Sequence, residues 1–231
     1  MYKNIQVIAF DADDTLWVNE TYFREAEEEF AKLLAQYETK NKIDQELFKV
    51  EIDNLKYYGY GIKSFVLSMV ECALQLSNYS INPKVIETIL QLGKQMLEQP
   101  IELLNGVEDV LQQLQEKYKL IVATKGDLLD QEKKLEKSGL LKYFHHIEVM
   151  SDKKEADYQK LINHLDIHPS ELLMVGNSLK SDILPLVALG ASAIHIPFHT
   201  TWAHEEITVE EQSKTTYKTV KPIKKIIPFL K

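Results

Sequence analysis

The chain has 231 residues, of which 45% are hydrophobic and 27% charged, with only 8 glycines and 7 prolines. This is globular composition, which excludes a disordered, collagen-like or low-complexity chain, and the length suits a core domain with a smaller domain inserted or appended. With 27 basic against 35 acidic residues the net charge is −8, so the chain has no general attraction to nucleic acid or to an anionic membrane surface.

Residues 5–10 (IQVIAF) are short, apolar and rich in β-branched side chains, and they run into an acidic cluster. They predict a buried strand with polar residues at its C-terminal end. From Glu20 the period changes: Phe23, Ala26, Phe30, Leu33, Leu34 and Tyr37 recur at helical spacing. Helical stretches over 44–56, 62–76 and 84–97 follow, the last opened by Pro83. Asn105-Gly106 marks a turn, after which helix and strand alternate. The helical pieces are 107–117, 128–137, 155–165 and 180–189, and the strands are 119–124, 146–149, 172–175 and 193–196. Residues 215–220 carry the pattern of an edge strand and 222–230 that of a short helix. An α/β alternation that calls for a parallel sheet is thus interrupted, after its first strand, by roughly 80 residues of helix, the length of a small domain. This predicts an α/β core built from 1–17 and 100–231, with helices on both faces of the sheet, and an inserted all-helical domain over 18–99.

The longest apolar stretch, 183–198, is broken by Pro185, Gly190, His195 and Pro197 and is shorter than the roughly 20 residues a bilayer requires. The N-terminus has no basic region followed by an apolar block and a cleavage site. A lone cysteine, Cys72, rules out an intrachain disulfide. Together these features predict a cytoplasmic protein with no membrane or nucleic-acid partner.

Parallel sheets bind their ligands outside the carboxyl ends of the strands. The first strand ends in Asp11-Ala12-Asp13-Asp14-Thr15 and the second in Thr124-Lys125-Gly126-Asp127. Lys153 and Lys154 follow the third, and Gly176-Asn177-Ser178, then Asp182, follow the fourth. Parallel strands bring these carboxylates, hydroxyls and cations to one edge. Carboxylates so close repel one another and shift their pKa values upward unless a cation neutralises them. Mg2+, which is held by few carboxylates together with waters and a phosphate, suits such a site. A carboxylate is also a competent nucleophile toward phosphorus. The competing structural reading of the acidic cluster is a strand-to-helix turn in which Asp14 or Thr15 caps a helix.

These motifs resemble those of the haloacid dehalogenase (HAD) superfamily, in its phosphatase branch. Asp11-Ala12-Asp13-Asp14-Thr15 after an apolar strand is similar to that family's Asp-x-Asp-x-Thr motif, which implies Asp11 as nucleophile and Asp13 as general acid and base. Thr124 is similar to the second motif, whose hydroxyl binds the phosphoryl group, with Lys125 and Gly126 beside it as further substrate-binding residues. Lys153 is similar to the third-motif lysine, although Lys154 leaves the register open by one. Gly176-Asn177-Ser178 through Asp182 resembles the acidic fourth motif that holds Mg2+, with Asn177 standing where many relatives have Asp. The implied metal set is Asp11, Asp13 through its main-chain carbonyl, Asn177 and Asp182. The resemblance further implies a Rossmann-like parallel sheet, with the helical insertion as the family's cap. The implied reaction is Mg2+-dependent hydrolysis of a small phosphorylated metabolite through an aspartyl phosphate. Two other readings use the same acidic residues: a haloacid dehalogenase with the same Asp nucleophile attacking carbon, and a non-enzymatic phospho-receiver switch. The helical insertion argues against the switch, because a receiver is a single α/β unit.

Two further stretches invite a functional reading. Tyr57-Tyr58-Gly59-Tyr60-Gly61 places aromatic rings on a glycine-hinged loop between two insertion helices, so Tyr58 and Tyr60 are either substrate-facing or simply packed between helices. His195, His199 and His204 invite a metal site, but Pro197 forbids a helix that would put them on one face. His195 is expected to end the fifth strand, and Cys72, on an apolar helix, to be inert.

Overall fold

In the computed structural model, which describes residues 2, 4–208 and 217–230, the first apolar run becomes strand β1 (Val7–Phe10). Val7 and Ala9 point into one hydrophobic cluster while Ile8 and Phe10 point into another, so all four are buried. A strand buried on both faces belongs in the middle of a parallel sheet, which is why the run carries no alternating polar residues. β2 (Lys119–Lys125) and β4 (Leu172–Gly176) flank it, β3 (His146–Met150) lies outside β2, and β5 (Ser192–His195) and β6 (Lys218–Thr219) lie outside β4. All five pairings are parallel. Of the expected edge strand over 215–220, β6 accounts for two residues, and residues 215 and 216 lie outside the described residues. Residues Ile223–Phe229 form a 3-10 helix where a short helix was expected.

The chain divides into two compact units. One, the core, comprises Met1–Glu20, Ile101–Lys125 and Gln131–Lys231; the other comprises Thr21–Pro100 with Gly126–Asp130. In the core, α5 (Val107–Leu114) and most of α6 (Leu128–Lys137) cover the Ile8 and Phe10 face through Val107, Val110, Leu111 and Leu135. The opposite face is covered by α7 (Glu155–Leu165) and α8 (Leu184–Ala188) through Tyr158, Leu161, Ile162 and Leu186. The core is therefore the expected Rossmann-like parallel sheet with helices on both faces.

The second unit carries α1 (Glu20–Leu34, entering from the core), α2 (Lys40–Tyr58), α3 (Ile62–Leu76) and α4 (Pro83–Glu98) around a core of Phe30, Leu34, Ile43, Leu47, Phe65, Met69, Cys72 and Ile89. Asn82 caps α4 by accepting the Lys84 N–H at 2.9 Å, and Pro83 follows at the first turn, where its missing N–H costs nothing. α2 starts at Lys40, ahead of the apolar periodicity, with Lys40 paired to Asp44 at 2.8 Å on the solvent side. Gly61 holds φ 108° between α2 and α3 and lies against the Asp127 main chain, and Lys63 pairs with Asp127 at 2.8 Å. No described helix is long and apolar enough to cross a membrane.

The stretch 180–189, expected as one helix, is divided. Leu179–Ile183 forms a wider π-helical turn, and α8 begins only at Leu184. Pro185 is the cause. It has no N–H to offer the Ser181 carbonyl, and the buried Tyr158 hydroxyl donates to that carbonyl instead, at 3.0 Å.

Candidate active site

The strand order reverses at β1, with β2 on one side and β4 on the other, so the crevice at their carboxyl ends is the topological switch point of the sheet. Asp11 continues β1 into it and donates its N–H to the Val175 carbonyl at 2.9 Å. Its side chain is nearly enclosed. Thr15 donates to Asp11 Oδ2 at 3.0 Å, and the Lys153 ammonium donates to Asp11 Oδ1 and, at 2.7 Å, to Asp182 Oδ1. Of the two adjacent lysines it is Lys153, 3% exposed, whose ammonium enters the crevice; Lys154 is exposed and pairs with Asp152 at 2.8 Å.

Asp182 reaches the crevice from the wide turn after β4. The turn is closed by two bonds: Asp182 N–H to the Ser178 carbonyl and Ser178 N–H to Asp182 Oδ2, both 2.9 Å. Gly176 makes room for it, since a Cβ there would collide with the Asp182 carboxylate. Burial and the Asp182 charge raise the Asp11 carboxyl above the ordinary carboxylate range, against the pull of Lys153. Burial works against the Lys153 ammonium, but Asp11 and Asp182 outweigh it and hold its pKa well above the ordinary lysine value. Two carboxyl groups thus share one ammonium, and a second cation beside them would favour the ionised form of both.

Asp14, not Thr15, is the helix cap. It adopts the left-handed conformation, φ 61°, and its carboxylate accepts from the N–H groups of Asn19 (2.9 Å) and Glu20 (3.0 Å) at the start of α1. Asp13 behaves differently from both neighbours. Its Oδ1 accepts from Trp17 Nε1 at 2.7 Å and from Lys134 Nζ at 3.1 Å, and its Oδ2 accepts from Gln131 Nε2 at 2.8 Å. None of these three partners has a motif in the sequence; the only local hint is that Gln131 and Lys134 stand one turn apart on α6.

Thr124, at the end of β2, is buried, and its hydroxyl donates to the Lys125 carbonyl at 3.2 Å. The Lys125 ammonium donates to Ser181 Oγ at 2.9 Å and pairs with Glu205. Glu205 also accepts from the hydroxyls of Ser178 and Ser181, the latter at 2.6 Å. Gly126 belongs to the helical unit, as do Tyr58 and Tyr60, with Tyr58 52% exposed at the end of α2. The three histidines are separate: His195 ends β5 and faces the Asn177 carbonyl at 3.0 Å, His199 lies against Phe198, and His204 lies against Trp202. Cys72 is buried, and burial pushes its thiol up to about 12.

Among the described residues no three His, Cys, Asp or Glu side chains converge as a metal site. The oxygens that do converge are of mixed type. Oriented by its neighbours, the Asn177 amide turns its NH2 to Asp11 Oδ2 at 3.1 Å and to the Asp13 carbonyl at 3.2 Å. A carboxylate oxygen and a main-chain carbonyl thus point at one donor beside the Asp182 carboxylate. Such hard oxygens, beside two carboxyl groups that share one ammonium, fit a small divalent cation.

The sequence model of the haloacid dehalogenase-like hydrolases matches residues 5–190, and the chain belongs to that family. Over 192 residues it is 27% identical to human N-acylneuraminate-9-phosphatase, an alignment that covers 78% of this chain and 77% of that protein. It is similar in structure to a haloacid dehalogenase-like hydrolase of Xanthomonas campestris, with 37% identity, 91% of this chain and 88% of that one covered, and a TM-score of 0.81. A HAD-hydrolase of Bacillus subtilis, solved with magnesium bound, shares the fold at 18% identity, with 99% of each chain covered and a TM-score of 0.67.

Proposed function

We propose that the chain is a cytoplasmic Mg2+-dependent phosphatase of small phosphate monoesters that works through an aspartyl phosphate on Asp11. The observation that carries this reading is the Asp11 carboxylate at the switch point, bonded by Lys153 and Thr15, with Asp182 on the same ammonium. Asp11 attacks phosphorus and the ester oxygen departs. Lys153 and the Thr124 hydroxyl take the phosphoryl oxygens, where negative charge gathers. Asp13 gives its proton to the leaving alcohol, then takes one from the water that opens the aspartyl phosphate. The groups that would hold Mg2+ are Asp11, Asp182, the Asp13 carbonyl and the Asn177 amide, and the ion would supply positive charge against the phosphate oxygens and the two carboxyl groups.

Lys125, partly neutralised by Glu205, and Gly126, next to it in sequence, are the further candidates for binding substrate. Specificity is assigned to the helical unit, where Tyr58 and Tyr60 are the side chains to substitute first. The N-acylneuraminate-9-phosphatase relatives put phosphorylated sugar acids at the head of a substrate screen. Asp11→Asn is isosteric but lacks the anionic nucleophile, so it is expected to lose at least about 99% of phosphatase turnover with an unchanged circular dichroism spectrum. Retention of a tenth of the wild-type rate would refute the covalent mechanism.

A further inference from the structure

Asp13 is the least enclosed of the crevice carboxylates, with its side chain 23% exposed, yet it is the one with the most N–H donors from beyond the motif itself. Oδ1 takes two, from Trp17 and Lys134, which uses both of its lone pairs. Among the described residues Oδ2 takes one, from Gln131, which leaves it a lone pair. The donors are themselves fixed. Trp17 is 1% exposed and its carbonyl accepts the Asp14 N–H at 2.7 Å; Lys134 also donates to Asn19 at 2.9 Å.

Gln131 is the most informative of the three. Its NH2 serves both Asp13 Oδ2 and, at 2.9 Å, the Lys125 carbonyl, which sets the direction of the amide. Among the described residues its Oε1 then has no hydrogen-bond partner, although it is buried. A buried oxygen left without a partner costs stability, and a leucine of similar shape would avoid that cost. The amide is therefore poorly explained by packing and well explained by the two oxygens it ties together, the Asp13 carboxylate and the Lys125 carbonyl.

We infer that Gln131 and Lys134, together with Trp17, are positioning residues that hold Asp13 so that Oδ2 is the oxygen passing the proton to the leaving group. This rests on the reading of Asp13 as the general acid and base. Proton transfer needs the two heavy atoms within about 3 Å, and a carboxylate free to turn about its side-chain bonds meets that geometry only part of the time.

Leaving-group dependence tests the idea. p-Nitrophenolate departs without a proton whereas an alkoxide does not, and kcat/KM reports the steps up to that departure. Gln131→Leu and Lys134→Met are each expected to lower kcat/KM for glycerol 2-phosphate by about tenfold or more and for p-nitrophenyl phosphate by less than about threefold. Lys134→Arg should restore most of the loss, and in an Asp13→Asn background neither substitution should add a further selective loss. Gln131→Leu should keep the circular dichroism spectrum of wild type, so that its kinetic loss is read on a folded enzyme. Equal losses on the two esters in Gln131→Leu and Lys134→Met, beside a selective loss in Asp13→Asn, would overturn the positioning role and leave Asp13 as the acid. An Asp13→Asn variant with no leaving-group selectivity would overturn the acid-base reading and the proposal with it.

Discussion

Asn177 sets the charge of the crevice. Asp11 and Asp182 bring two carboxylates and Lys153 one ammonium, and a neutral amide stands where an aspartate would have added a third negative charge. An amide accepts a hydrogen bond from a metal-bound water or offers one oxygen, but it adds no attraction of charge for the metal. On the proposed Mg2+-dependent reading, much of the metal affinity arrives with the phosphate dianion. Asn177→Asp should lower the Mg2+ concentration for half-maximal activity without abolishing turnover, and Asp182→Ala should raise it by about tenfold or more. A Mg2+ titration of both variants checks this, and an unchanged midpoint in Asp182→Ala would remove Asp182 from the metal set. At this scale the sequence shows which residue types meet but not which of two neighbours turns inward. Lys153 and Lys154 are the same in type and adjacent, and only the three-dimensional path after β3 buries one and leaves the other in water.

The exit of β4 is an element shaped by distant partners. Pro185 accounts for the lost helical bond, and that much is legible in the sequence; the Tyr158 hydroxyl that takes its place comes from another helix. The same turn is tied down by Glu205, which gathers Lys125 from the end of β2 and Ser178 and Ser181 from the turn. Burial alone would raise the Glu205 carboxyl, but the Lys125 charge and the two hydroxyls outweigh it and hold it at about 2. A carboxyl depressed in the folded state stabilises the fold above its ordinary pKa near 4.5, and that contribution is lost as the pH falls toward about 2. Its size is at most about 3 kcal/mol. Urea unfolding of wild type and Glu205→Gln should therefore show the widest gap at pH 7 and a narrowing gap below about pH 4.5. A gap that stayed constant down to pH 3 would show that the Glu205 charge adds nothing to the network.

For the whole molecule, the parts of the architecture written in local patterns were the legible ones. Residues 7–10 are apolar at every position because both faces of β1 are covered, and the helical run that follows has no strand pattern to break it. The phosphatase-like motifs were legible because each sits at a strand end. The surroundings of Asp13 were not, because Gln131 and Lys134 lie 118 and 121 residues away and carry no pattern that points to it. The covalent role of Asp11 is the claim on which the account turns, and it is tested most directly by trapping. On the proposed mechanism, Asp13→Asn is expected still to transfer phosphoryl from p-nitrophenyl phosphate, whose leaving group needs no acid, but to lack the base that would free the enzyme. After acid quench, mass spectrometry of that variant should find one phosphoryl group, released by hydroxylamine, on the peptide containing Asp11 and absent from Asp11→Asn/Asp13→Asn; a phosphoryl group on any other residue, or none at all, would contradict it.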